Sequence, residues 1–308
     1  MTAVIYKADP KEIYETMARS NKVLLLFALF LTIFGVLGKA IRWKFILKKL
    51  GYEISIKNAS KYFCVGMYGS VITPAKVGDV IRSHTLKRKE NVPYTQGVSS
   101  VIFDRLIDLL SVFFLMFFGI FLIYFTKERQ IFKDVPLLSV VIFTLLMIFG
   151  LYLLFSEKVG GRILKIFANK MGKKFTFLDP THQTNGTIVD EIYRSFNTIK
   201  SSKVFFISLI GYTVLVWLIT LIQAYIILSA FHVSVGFEYV LVFVPLAIVV
   251  GLIPVTLSGL GTREATMIYL FSFVSVSAAD SGSMSLLLYV FGSIVPAIFG
   301  AFYFLKKN

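Results

Sequence analysis

Five apolar runs along the chain are long enough to cross a bilayer, and two more break off early. A spanning helix needs about 20 mostly apolar residues to cover roughly 30 Å of hydrocarbon. Segments 23–38 with its continuation, 98–125, 135–155, 204–231 and 284–305 have that character. Segment 59–74 is shorter and ends at Pro74. Segment 239–257 carries Pro245 and Pro254 and runs into the turn SGLGT at 258–262. The apolar stretch 265–276 that follows is too short to cross alone. The pattern predicts an all-α, polytopic integral membrane protein built as a single transmembrane domain over 1–308.

The polar ends add little to that frame. Residues 1–22 contain Asp9, Pro10, Lys11, Glu12 and Glu15 and lack an apolar core, so no cleavable secretion signal is visible. Residues 10–20 read as a short surface helix with Ile13, Met17 and Val23 loosely on one side. The polar segment 156–203 includes the turn-rich stretch FLDPTHQTNGT at 177–187. It is too small and too poor in core residues to make a catalytic domain.

Composition narrows the class. Of 308 residues, 56% are hydrophobic and 16% charged, against about 45–50% and about 25% in soluble domains. A disordered chain, a disulfide scaffold and an ordinary soluble enzyme are excluded. Cys64 is the single cysteine, so no intrachain disulfide forms. His84, His182 and His232 lie far apart and none is paired with a cysteine, which argues against a metal site. No phosphate loop, dinucleotide fingerprint or nucleophile–base–orienter set is present, and no cofactor is implied.

The net charge of +15 then asks where the positive residues go. Cytoplasmic loops carry the excess of Lys and Arg. Segment 39–61 has seven (Lys39, Arg42, Lys44, Lys48, Lys49, Lys57, Lys61), segment 76–97 has five, and segment 156–203 has nine. Segments 232–238 and 277–283 have none. If 59–74 crossed the bilayer, one of the two strongly basic flanks would lie outside. The charge rule is met if 57–90 enters and returns, as a re-entrant hairpin open to the cytoplasm. The same logic makes 239–276 a hairpin open to the outside. Five spans then give an external N-terminus and a cytoplasmic C-terminus, in the cell (cytoplasmic) membrane. Two interrupted segments in matching positions of two halves, entering from opposite faces, are the signature of an inverted-repeat transporter. Their tips, near Pro74–Gly78 and Pro254–Gly261, should meet or line a cavity at the midplane, since irregular backbone at that depth must be covered. The alternative is a pair of ordinary kinked spans.

Three constellations could carry chemistry. In TPAKVGDVIRS (73–83), Pro74 ends one helix, Gly78 permits a tight turn, and Asp79 suits the start of the next helix. Lys76 and Arg82 near that start suit a phosphate; the bland reading is a capped turn with an i, i+3 ion pair. DRLID (104–108) places Asp104, Arg105 and Asp108 inside an apolar span, roughly 9–15 Å from its expected start at 98. It reads either as the polar wall of a substrate path or as a self-satisfied cluster pinning the helix to the first hairpin. In SGLGTRE (258–264), Gly259 and Gly261 allow turns, Thr262 suits a cap, and Glu264 suits the first turn. Arg263 is then a candidate for an anionic headgroup, or for a structural pair with an acidic residue of the other hairpin. Trp43 reads as an interface anchor and Trp217 as a packing residue. The basic loops suit anionic lipid headgroups, and nucleic acid is not an expected partner.

At these motifs the chain resembles the flippase-like transmembrane domain of lysylphosphatidylglycerol synthases and its stand-alone membrane forms. The pattern is Pro74, Gly78, Asp79 and Arg82, then Arg105 and Asp108, then Pro254, Gly259, Leu260, Gly261 and Glu264. The resemblance covers nearly the whole chain, and it is the joint order that is specific. It implies movement of polar or polyprenyl-phosphate-linked lipids between leaflets. Together with Lys76, Asp104 and Arg263 from the three constellations, the matched Asp79, Arg82, Arg105, Asp108 and Glu264 make the expected substrate-binding set. The family often has Glu where Asp79 stands and Gly where Ser258 stands, and many relatives carry an extra spanning helix before the surface helix. Lysyl transfer is not expected, because the soluble aminoacyltransferase domain of the synthases is absent. A second expectation is an accessory or transferase role in envelope glycolipid synthesis, with a partner enzyme.

Overall fold

The computed structural model describes residues 10–73, 77–125, 188–252 and 259–306, with 145, 148, 149, 152, 156 and 162. The expected span 135–155 and the polar segment 156–203 lie mostly outside the described residues, as do Pro74, Lys76, His182, Pro254 and Ser258. Among the described residues every regular element is helical. They are α1 (Pro10–Arg19), α2 (Lys22–Lys49), α3 (Ile56–Val71), a 3-10 turn (Val77–Val80), α4 (Ile81–Glu90), α5 (Tyr94–Phe125), α6 (Ile188–Lys200), α7 (Lys203–Ala230), α8 (Phe237–Val250), α9 (Thr262–Ser272), α10 (Ala278–Tyr289), a π-helical turn (Val290–Ile294) and α11 (Val295–Leu305). Among the described residues four helices are long and apolar enough to cross a membrane: α2, α5, α7 and the composite Ala278–Leu305. The chain is thus an all-α polytopic membrane protein.

Helix boundaries follow side-chain chemistry. Asn21 Oδ1 accepts from the Val23 and Leu24 amides at the head of α2, and Ser202 Oγ accepts from the Phe205 amide at the head of α7. Each satisfies amides that the first helical turn leaves unpaired. Helix α2 does not stop at the first lysine of segment 39–61. Lys and Arg are good helix formers, and the helix runs to Lys49, ending against Gly51 at φ 93°. Lys39, Arg42 and Lys44 are therefore helical residues, not loop charges.

The two halves repeat with a constant register. Lys22 and Lys203, Ile56 and Phe237, and Ile81 and Thr262 each open matching helices, and each pair is separated by 181 positions. The same shift carries Asn21 onto Ser202 as helix caps, and Gly51 onto His232, both with positive φ. The halves run antiparallel, since the Asn21 amide at the head of α2 donates to the Ala230 carbonyl at the foot of α7, at 2.8 Å. Helix α2 pairs with α7. The first helix of each interrupted segment packs on the span of the other half: α3 on α11 and α8 on α5.

The ends of the interrupted segments are also placed. Glu90 at the foot of α4 accepts from Asn58 at 2.9 Å and from Tyr62 at 2.8 Å near the head of α3. The head of α3 and the foot of α4 thus lie together at one end of the molecule. Lys49 over Phe205 and Lys61 over Tyr303 bring the foot of α2, the head of α7 and the foot of α11 to that same end. At the opposite end α1 is held to α10 by Arg19 and Thr16 on the Asp280 carboxylate, at 3.1 and 3.2 Å.

Close backbone approach sets the α3–α11 contact. A Cβ on Gly300 would fall inside the van der Waals envelope of the Cys64 carbonyl and 2.8 Å from the Val65 nitrogen. Gly300→Ala should therefore lower unfolding stability by about 1–3 kcal/mol, the usual range for overpacking. Gly211, with nothing within 4 Å, is the matched control. Thermal unfolding in detergent compares them, and equal midpoints would refute the contact.

Candidate functional site

The first half closes its charges into a ring. The 3-10 turn and α4 bring Asp79 and Arg82, α5 brings Asp104, Arg105 and Asp108, and α2 brings Arg42. Arg105 donates to Asp79 Oδ2 through Nε at 2.8 Å and Nη2 at 2.5 Å. Asp79 Oδ2 is 3.2 Å from Arg82 Nη2, which donates to Asp104 Oδ2 at 2.9 Å. Asp104 Oδ1 accepts from Arg42 Nε at 2.7 Å, and Asp108 Oδ1 accepts from Arg42 Nη1 at 2.5 Å. Arg105 Nη1 and Asp108 Oδ2, 3.6 Å apart, complete the circuit. Three arginines alternate with three aspartates, so the ring is neutral.

Neutrality is what the depth demands. Helix α5 starts at Tyr94, four residues before the expected start at 98. At 1.5 Å per residue Asp104 and Asp108 lie about 15 and 21 Å along it. A lone charge at bilayer centre costs about 2.5–3.5 kcal/mol on insertion scales. Mutual pairing and multiple hydrogen bonds offset that cost. Arg42, Arg82 and Asp104 are fully enclosed, whereas the Arg105 side chain is 33% exposed.

Aromatic rings and glycines build the walls. The Arg82 guanidinium lies over Trp43 at 4.5 Å and over Phe63 at 5.3 Å. Trp43 is wholly buried and donates to Ser100 Oγ at 3.0 Å, so it is no interface anchor. Its position on α2, one residue from Arg42, aims it at the ring. Trp217 packs as expected, and its indole N–H also donates to Asp108 Oδ1 at 2.9 Å. Gly66 admits the Asp79 carboxylate, and Gly69 and Gly78 admit each other's carbonyls. Asp79 does not cap a helix: α4 starts two residues later, and the carboxylate is taken by Arg105 and Arg82.

The second half carries a smaller version. The 181-residue shift maps Arg82 onto Arg263 and Asp104 onto Ser285, and both pairs are bonded across the same interval of 22 residues. Arg263 Nε donates to Ser285 Oγ at 3.1 Å, and Nη2 pairs with Glu264. The guanidinium lies over Tyr289 at 4.9 Å, and Tyr289 is the counterpart of Asp108. Arg42 maps onto Gln223, which donates to the Ala28 carbonyl and to Thr32 Oγ1 at 2.7 and 2.9 Å. Asp79 and Arg105 map onto Leu260 and Leu286. Thr262 does not cap α9: it donates to the Gly259 carbonyl, and Glu264 instead accepts from the Gly261 amide at 2.6 Å. The expected pairing of Arg263 with an acid of the other hairpin is replaced by Glu264, the nearest carboxylate. Among the described residues no hydrogen bond or ion pair joins Asp79 or Arg82 to Arg263 or Glu264.

The structure thus joins five expected residues (Asp79, Arg82, Asp104, Arg105, Asp108) in one site and two (Arg263, Glu264) in another. Gly78, Gly259 and Gly261 form the described parts of the two turns. Arg42, Trp43, Trp217 and Ser285 belong to these sites and were not singled out as such from the sequence. The signal for Arg42 was Gly51, which marks where α2 really ends. Among the described residues no group of three His, Cys, Asp or Glu side chains is placed to hold a metal ion.

Known proteins are similar to this chain. It is 26% identical over 300 residues to a UPF0104 membrane protein of Methanocaldococcus jannaschii, covering 94% of this chain and 86% of that one. A UPF0104 membrane protein of Methanothermobacter thermautotrophicus is 23% identical, covering 92% and 85%. The glycosyltransferase AglD of Haloferax volcanii is 27% identical over 104 residues, 34% of this chain and 17% of AglD. The profile of one family matches residues 1–300, and by that match the chain belongs to the family of the lysylphosphatidylglycerol synthase TM region.

Proposed function

We propose that this protein is a lipid translocase that moves a polar, anionic or lipid-linked headgroup between leaflets. The observation that carries the reading is the antiparallel repeat with an arginine at matched depth in each half, Arg82 and Arg263. In this reading 57–90 and 239–276 are re-entrant hairpins that open to opposite leaflets. The bonds from Asn58 and Tyr62 to Glu90 support the return of the first. The end holding Lys49, Lys61 and the foot of α11 faces the cytoplasm of a cell membrane, as the positive-inside rule asks, and the C-terminus lies there.

The halves divide the work. The first holds a closed, neutral ring that keeps its hairpin in place. The second holds Arg263 on one carboxylate, and a headgroup phosphate replaces Glu264 there as the hairpin moves. Asp79, Arg82, Asp104, Arg105 and Asp108 line the path on the other side. A second reading, an accessory or transferase of envelope glycolipid synthesis working with a partner enzyme, is favoured by the 104-residue match to AglD.

The test is a leaflet assay with labelled anionic lipid in reconstituted vesicles. Arg263→Gln should slow transfer roughly tenfold or more, the loss of a charge-assisted contact of about 1.5–3 kcal/mol, and should destabilise folding less than loss of a ring arginine, because Glu264 keeps Gly261 and Ser285. Wild-type transfer by that variant would sink the site. Single cysteines placed at Lys57 and Lys87 in a Cys64→Ser background should react with an impermeant thiol reagent from the same side. Labelling from opposite sides would refute the hairpin.

A further inference from the structure

The ring is neutral, yet a fourth cation stands against it. Lys39 lies three residues before Arg42, one turn away on the same side of α2. Its ammonium sits over the Trp217 ring at 5.1 Å, within electrostatic range of Asp108, Arg42, Arg105 and Asp104. Among the described residues no carboxylate stands within ion-pair distance of it; Asp108 is taken by Arg42, Trp217 and Arg105. Four cations thus face three carboxylates inside the helical bundle. Lys39 is ten residues from the foot of α2, about 15 Å along the axis, too deep to be dismissed as a solvated lysine.

The ring is also weakest and most exposed on this side. The link from Arg105 to Asp108, at 3.6 Å, is its longest, and Asp108 and Arg105 keep side-chain exposures of 9% and 33%. The remaining carboxylates, Asp79 and Asp104, are closed in at 2% and 0%. Arg42 Nη2, buried beside the nitrogen that holds Asp108, has no hydrogen-bond partner. An excess positive charge, an arginine nitrogen (Arg105 Nη1) with only a long link to Asp108, and an unused buried donor converge where α2, α5 and α7 meet.

We propose that this edge of the ring, between Lys39 and Arg105 and floored by Trp217, binds the phosphate of an anionic lipid headgroup. The inference rests on the translocase reading and adds a docking site outside the two hairpins. The phosphate takes the ammonium of Lys39 and draws Arg105 off its weak link to Asp108. Asp108 keeps Arg42 and the Trp217 N–H, and Arg105 keeps Asp79, so the ring survives. A singly charged headgroup brings the group of charges to neutrality, which is what a low-dielectric site favours. Acyl chains would lie against the exposed apolar faces of the spans, which a free anion cannot use.

The test titrates the full-length protein in neutral detergent with phosphatidic acid, phosphatidylcholine or inorganic phosphate. Tryptophan emission reads the site in a Trp43→Phe background, where Trp217 is the remaining tryptophan. Native mass spectrometry counts bound lipid on the chain with both tryptophans, in case that variant does not fold. Phosphatidic acid should give a saturable shift, with affinity about tenfold weaker in Lys39→Met and restored in Lys39→Arg. Removing an uncompensated charge leaves folding intact, so a null result in Lys39→Met is interpretable. Equal binding by Lys39→Met and wild type overturns the site, as does equal binding of phosphatidylcholine. A full shift with inorganic phosphate overturns the lipid source. If Lys39→Met binds like wild type while transfer still needs Arg263, the site fails and the translocase reading stands. Lys39-dependent binding without any leaflet transfer has the opposite meaning.

Discussion

Replacing Arg42 by methionine should destabilise the folded protein by about 3–5 kcal/mol, the cost of leaving buried charges without their partner. Arg42 is the only group that bonds both Asp104 and Asp108 among the described residues, through Nε and Nη1. Its removal strands Asp104 Oδ1, which is fully buried, and leaves Asp108 Oδ1 with the Trp217 N–H alone. Lys39, one turn away, offsets part of the lost charge and keeps the effect toward the lower end. Arg42→Lys should fall between, since an ammonium restores the charge but not the fork that spans two carboxylates. Adding Asp104→Asn to Arg42→Met should cost less than the sum of the single changes, because the pair is coupled. Arg19→Met tests the contrast: its partner is Asp280, its side chain is 60% exposed, and pairs of that kind contribute about 0–1 kcal/mol. Denaturant unfolding in detergent micelles measures all five variants, Asp104→Asn alone included. An Arg42→Met protein within about 1 kcal/mol of wild type would show that the ring does not hold the first half together.

Gly78→Val should open the first turn and, through it, the ring. A Cβ at Gly78 would fall inside the Gly69 carbonyl and 2.7 Å from Thr73 Oγ1. That hydroxyl is already committed, donating to Gly69 O at 2.8 Å and accepting from the Gly78 amide at 2.7 Å. Neither neighbour is the free end of a flexible side chain, so the turn itself must move. Asp79, the next residue, then leaves the hydrogen bonds of Arg105. Overpacking of this kind costs about 1–3 kcal/mol, and the displaced pair adds to it. Hydrogen exchange should show faster exchange of the α4 amides than of the α7 amides. Gly35→Ala, at an open helical site, should be neutral or gain up to about 1 kcal/mol. Unchanged exchange in α4 would mean the turn accepts a side chain.

The spans were legible because the bilayer imposes one length and one composition, and four described helices coincide with expected runs to within a few residues, except at the foot of α2 and the head of the last span. The interrupted segments were legible from Gly78 and from Gly259 and Gly261, which limit regular helix, whereas Pro245 lies inside α8 and does not end it. The sequence misplaced Arg42 because a hydropathy window ends at the first charge, whereas a helix ends at a cap, here Gly51. It misplaced Trp43 for a related reason. A tryptophan beside lysines reads as an interface anchor only if its side of the helix faces lipid, and that side is decided by what α2 packs against.

What the sequence determined by itself is the class, an all-α polytopic membrane protein, and the presence of charge inside apolar spans. Both follow from the cost of exposing polar groups to hydrocarbon, which acts on each segment separately. Tertiary structure decided which charges meet. Asp104 and Asp108 sit on one helix, but their partner Arg42 comes from α2, 62 and 66 residues away. Arg82 and Arg263 become equivalents only when the halves are laid antiparallel in one register. Coulomb energy depends on distance in space, and spacing along the chain fixes that distance only within a helix.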